Sequence, residues 1–153
     1  MKIQLKKLAG CVLLPLAVGG VAALLIRNSF EVFGALNKPP LAPPAWLFPV
    51  AWTILYILMG LASYLIVTSP VDNRNALTVY GIQLLFNFLW PILFFYLKMY
   101  LFAFIWLVLL WLLILACILT FRKISKTASL LLIPYIVWVT FAGYLNLGIV
   151  ILN

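Results

Sequence analysis

The chain has no histidine, and its only carboxylates are Glu31 and Asp72, both placed between apolar runs. That removes the ligands of a conventional zinc site, the axial ligand of a His-ligated haem and the base of a Ser-His-Asp triad, so hydrolase and metalloenzyme functions are excluded. Proton-coupled exporters keep a carboxylate inside the membrane to bind and release protons; with both acids in loops, a proton antiporter is disfavoured too. Cysteine is as scarce. Cys11 and Cys117 each fall inside an apolar run, where a free thiol acts as a small hydrophobe and a disulfide framework has no basis. The "LAGC" of residues 8 to 11 looks like a lipoprotein cleavage box, but the apolar stretch such a box requires follows Cys11 instead of preceding it, which predicts a retained first helix. Charge is the third shortage: 8% of residues are charged, against about 25% in a soluble domain.

What fills the chain is hydrocarbon. It is 68% hydrophobic over 153 residues, with a mean hydropathy of +1.27. A span takes about 20 largely apolar residues, so this length predicts an all-α membrane protein, a bundle of five transmembrane helices forming one domain over residues 1–153. Charges, "TSPVDNRN" and "RKISK" punctuate it into spans of about 8–26, 46–67, 76–97, 100–121 and 127–152, with a proline-rich loop at 27–45 between the first two. Short connections make the bundle up-and-down. The formal charge of +8 would suggest nucleic acid in a soluble protein; here the cations sit at span ends, where lipid headgroups are their partners. Lys2, Lys6, Lys7, Arg74, Arg122, Lys123 and Lys126 fall at one end of the bundle, and Arg27, Lys38 and Lys98 at the other. Seven against three predicts the N-terminus inside and the C-terminus and proline loop outside.

Inside the spans, polar and aromatic residues recur at helical spacing. Gln83, Asn87 and Trp90 stand at i, i+4 and i+7, one face of the third helix, and amides in hydrocarbon must be satisfied inside the bundle. That face serves either helix-to-helix hydrogen bonds or ligand contact. Phe48, Trp52 and Tyr56, continued by Met59 and Ser63, make a stripe on the second helix; Tyr135, Trp138, Ala142 and Asn146 make one on the fifth. Trp46 fits an interfacial belt, whereas Trp52 and Trp138 lie a turn or more inside. Pro15, Pro91 and Pro134 fall within helices and predict kinks. Gly19 and Ala23 form a small-xxx-small pair that offers a homodimer seam. The stretch "KPPLAPP" predicts a stiff, extended lid that loses little entropy on ordering, with Pro49 in the first turns of the second helix.

Taken together, "NKPPLAPPAWLFPVAWTILYILMGLA", "QLLFNFLWPILFF" and "PYIVWVTFAGYLNLGIVILN" resemble the tryptophan-rich sensory protein family, also called the translocator protein or peripheral benzodiazepine receptor family, in a bacterial-type form. The resemblance covers about Phe33 to Asn153. It implies five membrane helices that bind porphyrins and other tetrapyrroles as ligands, with no required cofactor, and that also bind isoquinoline carboxamide and benzodiazepine-type ligands. Carried over by position, the pocket implied would use Phe33, Pro43, Pro44, Trp52, Tyr56, Gln83, Asn87, Trp90, Trp138, Ala142 and Leu145. Trp52 and Trp138 match positions linked in some bacterial relatives to light-dependent porphyrin degradation, the only candidates for a catalytic role. Position 33 is Phe where close relatives can have Tyr, which removes a hydroxyl contact. No Lys or Arg follows Lys126, so the C-terminal cholesterol motif of the animal members is not supported; "LFFYLK" at 93 to 98 fits its loose pattern in another helix.

Three functional expectations follow. The first is a sensor, carrier or translocator of tetrapyrroles, with Arg27 or Lys38 meeting the propionates. The second is oxidative, light-dependent degradation of bound porphyrin, in which the substrate supplies the reactivity. The third is a non-catalytic membrane partner or regulator. Basic N-terminal residues and retained helices favour a prokaryotic plasma membrane.

Overall fold

A computed structural model describes residues 2–153. Five helical stretches are long and apolar enough to cross a membrane, Leu5–Ile26, Leu47–Val67, Arg74–Tyr96, Tyr100–Arg122 and Lys126–Leu152, and among the described residues there is no strand. The elements are α1 (Leu5–Ile26), α2 (Phe30–Ala35), α3 (Leu47–Val67), α4 (Arg74–Pro91) running into a π-helical turn (Ile92–Tyr96), α5 (Tyr100–Arg122), α6 (Lys126–Leu131) and α7 (Ile133–Leu152). The chain is a five-span membrane bundle. Its helices form a closed ring: α1 packs on α3 and α4, α3 on α6, and α5 on α4, α6 and α7. Met59, Ala62 and Ile66 of α3, Leu107, Leu110 and Ile114 of α5, and Tyr135 and Val139 of α7 fill the centre. Leu13, Leu24, Ile105, Leu109 and Leu112 stay exposed on the outside, the surface expected where lipid is the solvent.

Proline sets the irregularities. Pro15 has no N–H for the Cys11 carbonyl one turn back, and that stretch of α1 lies against Gly60 of α3, where a β-carbon would collide with the Cys11 carbonyl and the Val12 backbone. The two backbones therefore meet at a bare glycine. Pro91 likewise ends the regular ladder of α4, and the π turn follows, with the Leu97 N–H donating to the Ile92 carbonyl at 2.9 Å and Lys98 in the left-handed region (φ 55°). The last span is two helices, not one over 127–152. It breaks at Leu132, two residues before Pro134, which has no N–H for the Leu130 carbonyl one turn back and fits only the first turn of a new helix, α7. The loop at 27–45 contains a helix, α2, that its proline content hid. In the α3–α4 connection Arg74 pairs with Asp72 at 3.2 Å and its side chain holds the Asp72 carboxyl below the usual carboxylate range.

Candidate ligand cavity

From the Gly60 crossing, α1 and α3 diverge toward the end of the bundle that carries the proline loop, and a cavity of about 410 Å³ lies between them and α4. That is within the size of small-molecule sites, about 300–1,000 Å³. The α1 wall is built of small residues, Gly19, Gly20, Ala22 and Ala23, between Leu16 and Ile26. Gly19 is required: a β-carbon there would occupy the Tyr56 ring. The α3 wall is Phe48, Pro49, Trp52, Thr53 and Tyr56; α4 gives Asn87, Trp90 and Pro91; Phe30, Phe95 and Ala45 close the top, and Arg27 is the one charged lining residue. Trp52 stacks on Tyr56, with centroids 5.7 Å apart and planes 29° apart.

The floor is a chain of hydrogen bonds. The Tyr56 hydroxyl donates to Asn87 Oδ1 (2.8 Å), the Asn87 amide donates to Tyr135 Oη (2.7 Å), and the Tyr135 hydroxyl donates to Gln83 Oε1 (2.7 Å). Three helices are tied at one level, with the oxygen of each amide accepting from a tyrosine, while the Gln83 Nε2 is buried without a protein partner. A turn toward the loop end, the Trp90 indole donates to Asn146 Oδ1 (3.2 Å), and the Asn146 amide donates to the Tyr100 carbonyl (2.9 Å).

Of the residues implied by position, Trp52, Tyr56, Asn87 and Trp90 come together on the cavity wall. The others stand outside it. Gln83 is the buried end of the hydrogen-bond chain, and Ala142 and Leu145 are core. Trp138 lies behind the wall, edge-on to Trp52 at 6.5 Å and to Phe48 at 6.1 Å, with its buried Nε1 lacking a protein partner. Phe33 is buried against Phe48, Phe94 and Phe95. Pro43 and Pro44 lead into α3 without lining the cavity. Two further expectations change. Lys38 is committed, donating to the Gly34 carbonyl (3.1 Å) and lying 5.1 Å from the Phe33 centroid, which leaves Arg27 as the cation at the cavity. Gly19 lies against Tyr56 within one chain, so of the small-xxx-small pair only Ala23 is exposed, at the edge of the cavity.

The proline loop is pinned to α7. Pro39 packs on Gly148, where a β-carbon would collide with its ring, and the Tyr144 hydroxyl donates to the Pro40 carbonyl at 2.6 Å. Asn37 and Asn153 exchange hydrogen bonds, Asn37 N–H to Asn153 Oδ1 (3.1 Å) and Asn153 Nδ2 to the Asn37 carbonyl (2.9 Å). What spacing did not reveal was the α1 wall. Its signal was present as the run of glycine and alanine at 19–23, which reads equally well as a contact between copies.

The sequence profile of the TspO/MBR family matches residues 11–152. The tryptophan-rich protein TspO of Chlorobaculum tepidum is 39% identical over 157 aligned residues, covering 100% of this chain and 99% of its own length. Protein CrtK of Rhodobacter capsulatus is 38% identical, covering 79% of this chain and 78% of its own. The translocator protein of Ovis aries is 35% identical, covering 90% and 84%. A bundle of five spans, matched over nearly its whole length by that profile and by relatives at this level of identity, belongs to the TspO/MBR family.

Proposed function

We propose that this membrane protein binds tetrapyrroles of the porphyrin and haem type in the cavity between α1, α3 and α4, and there also accepts isoquinoline carboxamide and benzodiazepine-type ligands, acting as a sensor, carrier or translocator. The observation that carries this reading is an apolar cavity of about 410 Å³ lined by six aromatic side chains, Trp52, Tyr56 and Trp90 among them, and a single cation, Arg27. A flat macrocycle is held by stacking on such faces, and its propionates are neutralised by one guanidinium at the edge. No cofactor is required in this reading; the tetrapyrrole is the ligand. Titration of the purified protein with protoporphyrin should quench tryptophan fluorescence to saturation. Trp52→Ala should weaken binding at least about ten-fold, roughly 1.4 kcal/mol, and Trp138→Phe, behind the wall, should weaken it less. Arg27→Gln should weaken protoporphyrin but leave an uncharged isoquinoline carboxamide unaffected. Unaltered affinity in both Trp52→Ala and Arg27→Gln sinks the reading.

A second reading, light-dependent oxidative degradation of the bound porphyrin, is favoured by the contact of Trp52 with Trp138 (6.5 Å) and with Tyr135 (6.3 Å), an aromatic path from the wall into the core. Porphyrin absorbance followed under illumination, with and without protein, separates it from binding alone. The basic N-terminal residues and retained first helix favour a prokaryotic plasma membrane for either reading.

A further inference from the structure

We infer that ligand reaches the cavity sideways from the bilayer, through a slot between α1 and α3, and not through the proline loop; the inference rests on the ligand-binding reading above. The exposed residues of the cavity lining fall in two rows. On α1 they are Gly20 and Ala23, at i and i+3, with Arg27 just past its end; on α3 they are Pro49 and Thr53, at i and i+4, with Ala45 two residues before its start. On α4, by contrast, Asn87, Trp90 and Pro91 are buried or half-buried, so that side is shut. Both rows run along helices long and apolar enough to span, so the gap between them faces hydrocarbon.

The slot is bare and the other exits are closed. A β-carbon at Gly20 would meet no heavy atom within 4 Å, so this edge stands clear of every neighbour. Below, Gly60 against the α1 backbone and Tyr56 against Gly19 seal the crossing. Above, four hydrogen bonds hold the loop to α7, and α2 is anchored by the buried Phe33. Opening that roof breaks these contacts together, whereas passage between Gly20 and Ala23 on one side and Ala45, Pro49 and Thr53 on the other displaces only lipid chains. Arg27 lies one residue past the end of α1, at the level where a span meets the headgroups. The ligand class that fits is an anionic amphiphile dissolved in the membrane, its flat apolar body sliding between the helices and its acid group stopping at Arg27.

The test uses full-length protein in lipid nanodiscs, in a Cys11→Ala/Cys117→Ala background, mixed with protoporphyrin-loaded vesicles while tryptophan quenching is followed. A cleavable bis-maleimide joins Ala23→Cys to Thr53→Cys across the slot or, separately, Pro40→Cys to Tyr144→Cys across the roof. Relative to the same double-cysteine protein without the linker, the slot link should slow association and dissociation at least ten-fold, and cleaving it should restore both rates; the roof link should change neither. Gly20→Leu, which narrows the slot without a linker, should slow both rates several-fold. The route is overturned if the roof link slows exchange while the slot link does not, or if the slot link and Gly20→Leu both leave the rates unaltered. Absence of quenching in the unlinked protein overturns instead the binding reading on which the route depends.

Discussion

Asn87 faces two ways. It lines the cavity, and it carries an accepted bond from Tyr56 and a donated bond to Tyr135, so the wall that meets ligand is also a joint between α3, α4 and α7. Tyr135 is the pivotal partner, since it accepts from Asn87 and donates to Gln83 and is itself almost fully buried. Tyr135→Phe keeps the ring and removes both bonds. Hydrogen bonds between membrane helices average about 0.6 kcal/mol and reach about 1.7, so the expected loss is roughly 1–3 kcal/mol in a reversible SDS unfolding titration. Adding Gln83→Leu to that variant should cost less than the two single losses summed, because the second change removes a group the first has already orphaned. Wild-type stability in Tyr135→Phe would show the joint to be ornamental. The inward face of Gln83, Asn87 and Trp90 was legible from their spacing alone. Their partners were not, because Tyr135 lies 48 residues from Asn87 and Asn146 lies 56 from Trp90, and only tertiary packing selects which tyrosine or amide answers a buried amide.

The relation of α1 to α3 turns on residues that lack something. Gly60 lacks a side chain where α1 crosses, and Pro15 lacks the N–H that would have engaged the carbonyl facing it. The crossing fixes how far α1 and α3 diverge, and hence how wide the cavity becomes. Gly60→Val should therefore force the helices apart, costing about 1–3 kcal/mol as overpacking does, and lower porphyrin affinity without touching a cavity residue. Gly10→Val, on the same helix turn region of α1 but with no atom within 4 Å of its position, should be close to neutral in both measurements. Equal effects from the two variants would remove the crossing as the cause. Five apolar runs were enough to place the spans, since length and hydropathy decide membrane crossing. The division of the last span at Leu132 was foreshadowed by Pro134. The path of the proline loop was not, because proline fixes φ but not destination, and the loop's course is set by Gly148, Tyr144 and Asn153, more than 100 residues away.

For the molecule as a whole, the ring of helices puts the cavity in one half of the bundle, the half that bears the proline loop, the π turn and the end of α7. Which side of the membrane that half faces decides which leaflet the cavity samples, and the cations speak to it. Seven Lys and Arg sit at the opposite end, on the N-terminal residues and the α3–α4 and α5–α6 connections, against three at the cavity end. One of those three, Lys38, is already engaged with Phe33 and the Gly34 carbonyl. Basic residues in short loops are retained on the cytoplasmic side, so the loop end should face out. Leu41, 83% exposed in the proline loop, and Val71, 54% exposed in the α3–α4 connection, report the two faces. In intact cells Leu41→Cys should react with a membrane-impermeant maleimide, and Val71→Cys should react only after permeabilisation. The opposite pattern would turn the cavity toward the cytoplasm. Charge reversal supplies the causal arm: replacing Arg122, Lys123 and Lys126 with Gln while adding Lys to the loop end should produce a mixed population, because orientation follows the difference between the two ends and not the apolar sequence of any single span.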